Sequence, residues 1–232
     1  MINTIFPITV EKDLPFIVKG LGIQENQDHI HRPNGFPDYH WAHCSTGEGM
    51  LLIGDNEYTI KKEMGFLFQP NIPHEYYPTV EPWQIHWLIF DGLAVRSLLA
   101  YLKLSPWAVV EIIDILSIDK ILKYICRALC LKNLDGVMEA STLLYKFLIK
   151  LKAATRVYGG SQKQDQGRLL SVINYLENNY SKYTSIEDMA SMINVTPHHF
   201  CRIFKQKFYV SPFQYLTNLR LQKAKELLIS HP

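Results

Sequence analysis

A chain of 232 residues, 47% hydrophobic and 20% charged, is long enough to bury one large core or two modest ones and too apolar for a disordered polymer. No apolar run approaches the roughly 18 residues of a membrane span, and the opening MINTIFPITVEKDLPF lacks the basic stretch and apolar core of a secretion signal, so a cytoplasmic protein is expected. The formal charge of +2 hides an asymmetry, net −2 over residues 1–167 and net +4 over 168–232.

Up to residue 92 the sequence reads as strands. DYHWAHC, MLLIGDNEYTI, GFLFQP and WQIHWLIF are short, aromatic or β-branched, and bounded by Gly, Pro, Asp and Asn. Asp55-Asn56 is the expected hairpin turn, and alternation in the last run puts Trp83, Ile85, Trp87 and Ile89 on one face. Strands at this spacing suggest a small barrel or jelly roll. From about 93 the period becomes helical. The clearest helix is expected over 136–157, where Leu144, Leu148 and Leu151 form a regular seam that packs either on its own sheet or on a partner helix in a homodimer. Cys44, Cys126, Cys130 and Cys201 lack any zinc or disulfide-framework spacing and read as buried free thiols.

GGSQKQDQG (159–167) is polar and glycine-bounded, a linker dividing 1–158 from 168–232. Beyond it, residues 168–180 form an amphipathic helix through Leu169, Val172, Ile173, Leu176 and Tyr180. Ser185 three residues before Asp188 makes a capping box for a second helix, and Asn194 suits the left-handed turn after it. Thr196 is the N-cap of a third helix with Pro197 at its first position. Phe200, Ile203, Phe204 and Phe208 make its apolar stripe; His198, Arg202 and Lys205 fall on another face, flanked by Cys201 and Gln206. Two helices joined by so tight a turn, with small Ala190 where they cross, have the geometry that sets a helix in the DNA major groove. Arg202 suits bidentate bonding to guanine and Lys205 suits phosphate, although a solvated face has the same composition.

SIEDMASMINVTPHHFCRIFKQKFYVSPFQYLTNLRLQKAKELL resembles the first helix-turn-helix and connecting helix of the AraC/XylS transcription regulators, through Ala190, Phe200, the IFK at 203–205, SPFQYL at 211–216, Arg220, Ala224 and Leu227–Leu228. The resemblance implies base-facing roles for His198, Cys201 and Arg202. Cys201 is unusual there, and Tyr209 stands where the family has a chain-turning glycine. The family's second helix-turn-helix is absent before the sequence ends at LLISHP, so a truncated chain that binds DNA weakly is expected.

The first part invites a metal reading, with six of nine histidines between 29 and 86. GFLFQPNIPHEY resembles the second cupin motif through Gly65, Pro70 and His74. The first motif needs two histidines separated by one residue, then Glu; His40 and His43 are separated by two, and His29 and His31 lie too early. No metal or other cofactor is therefore expected. HRPNGFPDYHW, GEGMLLIGDNEYTIKKEMGFLFQPNIPHEYY and WQIHWLIF instead resemble, in order, the effector domain of sugar-responsive AraC-type regulators. The Arg, Tyr, His and stacking Trp of that sugar site correspond to Arg32, Tyr76, Ile85 and Trp87, so the His is replaced. His74 and Trp83 are further candidates, and Phe6 and Pro7 are lid residues on an N-terminal arm of residues 1 to about 15.

The expectation is an α+β chain: a cupin-like barrel or jelly roll with helices that binds effector and dimerises (1–158), a linker (159–167) and an all-α helix-turn-helix unit (168–232). Its expected function is a transcription regulator, with activation and a saccharide effector implied by the resemblance, and with DNA and a second copy as partners and no membrane partner. The alternatives are a regulator answering to another small molecule and a metal-dependent cupin enzyme, an isomerase or dioxygenase, carrying a helical appendage.

Overall fold

The computed structural model describes residues 4–6, 13–102, 104, 107–158 and 165–230. Pro7 and most of the expected linker lie outside them. The turn-bounded apolar runs form strands: β1 (Thr4–Ile5), β2 (Ile17–Asn26), β3 (Ile30–Arg32), β4 (Tyr39–Ile53), β5 (Asn56–Ile60), β6 (Met64–Phe68) and β7 (His74–Asp91). After α1 (Val95–Tyr101) come β8 (Trp107–Ile112), α2 (Ile115–Cys130), α3 (Leu134–Ala154) and β9 (Thr155–Val157). The pairings are antiparallel in the order β1-β2-β7-β4-β6-β8-β9, with β3 on β7 and β5 on β4.

Three details differ from the sequence reading. Ile53 pairs with Asn56, so the hairpin loop is Gly54-Asp55, one residue earlier than expected; the φ of +59° at Gly54 is why, since the first loop position needs a residue that accepts it. Strands β8 and β9 were not anticipated. The expected helix over 136–157 starts two residues early and ends at Ala154, and Thr155–Val157 then pairs with β8.

Alternation along β7 separates two apolar layers. Trp83 and Ile85 face inward with Ala42, Phe66, Phe68 and Tyr76. Leu88 and Phe90 face outward with Trp41 and Leu67, under α1, α2 and α3. The α3 leucines belong to that outer layer: Leu144, Leu148 and Leu151 are at most 1% exposed, and neighbouring Phe147 meets Trp41 at 6.0 Å. They are core, and the dimer seam assigned to them is corrected accordingly. A seam on those residues would first have to strip the helix from the sheet. Of the cysteines only Cys44 is buried; Cys130 is exposed, and all four are free.

The last quarter is helical: α4 (Asp165–Asn178), α5 (Ile186–Ser191), α6 (Pro197–Phe208) and α7 (Pro212–Ser230). Helix α4 starts inside the expected linker. The caps are as anticipated: Ser185 and Asp188 make the reciprocal box, and Thr196 accepts from the His199 amide at 3.3 Å with Pro197 first in the helix. Asn194 takes φ +56° between α5 and α6. Phe200, Phe204 and Phe208 are buried, and Arg220 on α7 donates to the carbonyls of Tyr180 and Lys182, holding the turn between α4 and α5. The apolar side chains of α4 to α7 and of the inner sheet face form one continuous cluster. Among the described residues no helix is long and apolar enough to cross a membrane.

Candidate functional site

On the inner face β3 brings Arg32 to the histidines of β4 and β7. Its guanidinium lies 3.3 Å from His40 Nδ1 and 3.5 Å from His74 Nε2, and it stacks on Phe36 at 4.3 Å. His74 donates its Nδ1 proton to the Ile72 carbonyl at 2.7 Å, leaving Nε2 as a bare acceptor toward Arg32. Burial, then the Arg32 charge and the second histidine, hold His40 well below its ordinary pKa. Burial likewise pulls His74 down to about 4, against the Ile72 hydrogen bond, with Arg32 adding to the fall. Both imidazoles are therefore neutral at pH 7, and one cation is shared between them.

An aromatic wall continues from there. Phe68 stacks on His74 at 4.2 Å, His74 on Tyr76 at 5.9 Å, and Tyr76 meets the edge of Trp83 at 6.1 Å. Burial pushes the Tyr76 phenol up to about 12, so it stays a neutral donor. Trp83 Nε1 is buried and turned to the Cys44 sulfur, a weak acceptor. A buried donor with so weak an acceptor, against aromatic rings on the sheet face that carries Arg32, is one that a polar ligand would satisfy.

Of the sequence-selected residues, Arg32, His74, Tyr76 and Trp83 converge. Ile85 is fully buried on the same face. Trp87 sits further along β7, where its indole N–H donates to Glu25 and its ring meets Phe6 at 6.0 Å. Phe6 is itself 61% exposed, and Pro7 is not among the described residues. Three participants were missed: Phe36, His40 and Glu25. Glu25 reaches this face because the register of β2 slips between Gly22 and Glu25, with Gln24 at φ +50°. It pairs across from Ile85, and a Cβ on Gly22 would strike both Glu25 and Trp87. A local bulge leaves little trace in alternation, so only the glycine hinted at it. Asp38, on the loop that follows Arg32, pairs with Lys19.

On the opposite sheet face His43, His86 and Asp119 place candidate ligand atoms within 4.8 Å of one another. The donor arithmetic argues against a metal there. Trp41 Nε1 donates to His43 Nδ1 at 3.1 Å, so the one proton of a neutral ring sits on Nε2, which donates to Asp119 at 2.8 Å. A neutral His43 so bonded has no lone pair left for an ion. The His43 and His86 rings stack at 4.8 Å and 7°, so their in-plane lone pairs run side by side rather than converge. The trio anchors α2 to β4.

These histidines predict a pH response. Burial, then the charges of neighbouring groups, takes His86 to about 4, the same value as His74, against 6.5 for a free imidazole. The unfolded chain takes up protons first, so the stability these groups contribute is full above pH 6.5 and is lost as pH falls through 4. Urea midpoints measured from pH 7.5 to 4 should fall steadily below 6.5, and His74→Gln should flatten the slope.

In α6 the stripe faces inward and the polar edge outward. Thr196, His198, Arg202 and Lys205 are exposed, and Cys201 is half-buried. Arg202 donates to His199 Nδ1 at 3.1 Å, a neighbour that sequence reasoning passed over.

Residues 21–148 match the family model for the AraC-like ligand binding domain. The chain is 23% identical over 189 residues to the lactose operon transcription activator of Staphylococcus xylosus, covering 79% of this chain and 67% of that protein. It is 22% identical over 209 residues to the raffinose operon transcriptional regulatory protein RafR of Pediococcus pentosaceus, covering 87% and 75%. Among solved structures, unsaturated fatty acid bound ToxT from Vibrio cholerae aligns with a TM-score of 0.51 at 9% identity over 97% of this chain and 84% of that one, a likeness of fold alone.

Proposed function

We propose, given that the chain belongs to the AraC-like ligand binding domain family, that it is a transcription regulator controlled by a small molecule held on the inner sheet face. The observation that carries this reading is the Arg32 guanidinium between neutral His40 and His74, with the aromatic wall of Phe68, Tyr76 and Trp83 running on from it. Aromatic faces pack the C–H surface of a sugar ring, and buried donors and acceptors match its hydroxyls. Glu25, opposite Ile85, supplies the acceptor that the replaced histidine removes. The names of the lactose and raffinose operon relatives point the same way, so a saccharide is our effector.

In this reading residues 1–158 form the cupin-like effector unit and 168–232 a cytoplasmic DNA-binding unit. Helix α5, the Asn194 turn and α6 make its helix-turn-helix, with Thr196, His198, Arg202 and Lys205 toward the groove. Activation is the expected sign. The cupin-enzyme alternative is disfavoured by charge: Arg32 already places a cation against His74, the one good motif ligand, and a second cation there would be repelled.

A second copy fits the outer face of α3. Met138, Tyr145 and Ile149 are exposed there, with Asp135 and Glu139 toward one end and Lys146 and Lys152 toward the other. Two-fold antiparallel docking sets each acidic half against a basic half. Ile149→Glu should convert dimer to monomer in sedimentation with little change in melting temperature; a surviving dimer would rule this face out.

Thermal-shift titration with lactose, raffinose and an unsaturated fatty acid tests the effector. A sugar at about 100 times its Kd adds about 2.7 kcal/mol and should raise Tm by about 5–10 °C. A shift from the fatty acid alone would sink the saccharide and keep the regulator.

A further inference from the structure

Tyr209 ends α6 at φ +58°, a left-handed conformation that strains any residue with a Cβ and costs glycine nothing. Its side chain supplies a reason for the exception. The ring lies against the β4–β5 hairpin: a Cβ built on Gly54 would sit 2.0 Å from it, so only glycine leaves room. The phenol oxygen accepts from Asn56 Nδ2 at 2.7 Å, and Tyr58 on the same hairpin lies close enough to raise the Tyr209 pKa, second to burial.

Two more contacts join distant parts of the chain. Gln222 on α7 accepts from Asn71 Nδ2 at 3.2 Å and donates to the Pro37 carbonyl at 2.8 Å. Those two loops also carry Phe36, which stacks on Arg32, and Ile72, which receives the His74 proton. Arg96 on α1 pairs with Glu177 on α4.

We propose that Tyr209 is a positioning residue that docks the end of α6 onto the β4–β5 hairpin, and that Gln222 extends the same docking surface to the rim of the inner-face site. Occupancy of that site and the orientation of α6 are then linked, because moving the Arg32 loop moves the carbonyl that Gln222 grips. The linkage rests on the effector reading above; the docking does not.

Hydrogen exchange of the full chain without ligand tests the docking. In Tyr209→Gly, amides at 53–58 should exchange about 10-fold faster, consistent with their becoming part of a locally opening segment, while those within 197–219 stay protected because glycine relieves the left-handed strain. Tyr209→Phe, which keeps the ring on Gly54, should retain most of the hairpin protection. Gln222→Ala should speed exchange at 35–38 and 70–73. Unchanged rates at the hairpin in Tyr209→Gly, or a rise spread equally through 197–219, would overturn the proposal. A failed effector reading looks different: the protections respond as described, yet no sugar shifts Tm.

Discussion

Phe204→Ala should unfold the C-terminal helices, with a loss of about 3–5 kcal/mol, the cost of truncating a fully buried phenylalanine. Phe204 is 0% exposed and sits at the centre of a ring cluster, 5.4 Å from Phe200, 4.5 Å from Phe208 and 5.8 Å from Tyr215 on α7. The gap would not close cheaply, because Phe200 and Phe208 are fixed on the same helix and Phe208 also packs on Tyr215 of α7. The measurement is urea unfolding followed by helical circular dichroism, with Arg202→Ala as the exposed control on the same helix. That control should stay within about 0.5 kcal/mol of wild type, as surface substitutions do. Equal midpoints for the two variants would mean that the stripe is not the core that orients α6.

Arg32→Ala should weaken effector binding by roughly 10- to 100-fold, the equivalent of one lost charge-assisted hydrogen bond of about 1.5–3 kcal/mol. Among the described residues Arg32 is the cation placed between His40 and His74, and both histidines are held neutral chiefly by their burial, so neither can replace its charge. Titration calorimetry with whichever of lactose or raffinose stabilises the wild type reads the loss directly. Arg32→Lys should recover only part of it, since an ammonium lacks the planar fork that reaches two acceptors at once. Undiminished affinity in Arg32→Ala would move the effector elsewhere in the molecule.

Much of the local structure was legible because it follows from short-range rules. The capping box at Ser185 and Asp188, the Thr196 cap, the Asn194 turn and the phenylalanine stripe are set by residues within a few positions of one another. Alternation in β7 assigned Trp83 and Ile85 to one face correctly. Periodicity could not say what a face would meet. The leucines of α3 read equally well as a partner seam or as core, and the sheet behind them made them core. WAVVEI is too short for its period to distinguish strand from helix, and β8 became a strand because β6 offered it an edge.

The candidate site divides the same way. Arg32, His74, Tyr76 and Trp83 were selected from sequence, whereas Glu25 and His40 reach the inner face through strand register alone. A departure read from sequence as an anomaly, Tyr209, has its explanation 153 residues away in the Asn56 hydrogen bond and the bare backbone of Gly54. The chain by itself thus determined its caps, turns and buried stripes, because those energies are spent within a turn or two of backbone. Which apolar face became core, which polar groups share one pocket and which strained residue is compensated were decided only by tertiary packing, since each depends on contacts between segments that the linear order keeps apart.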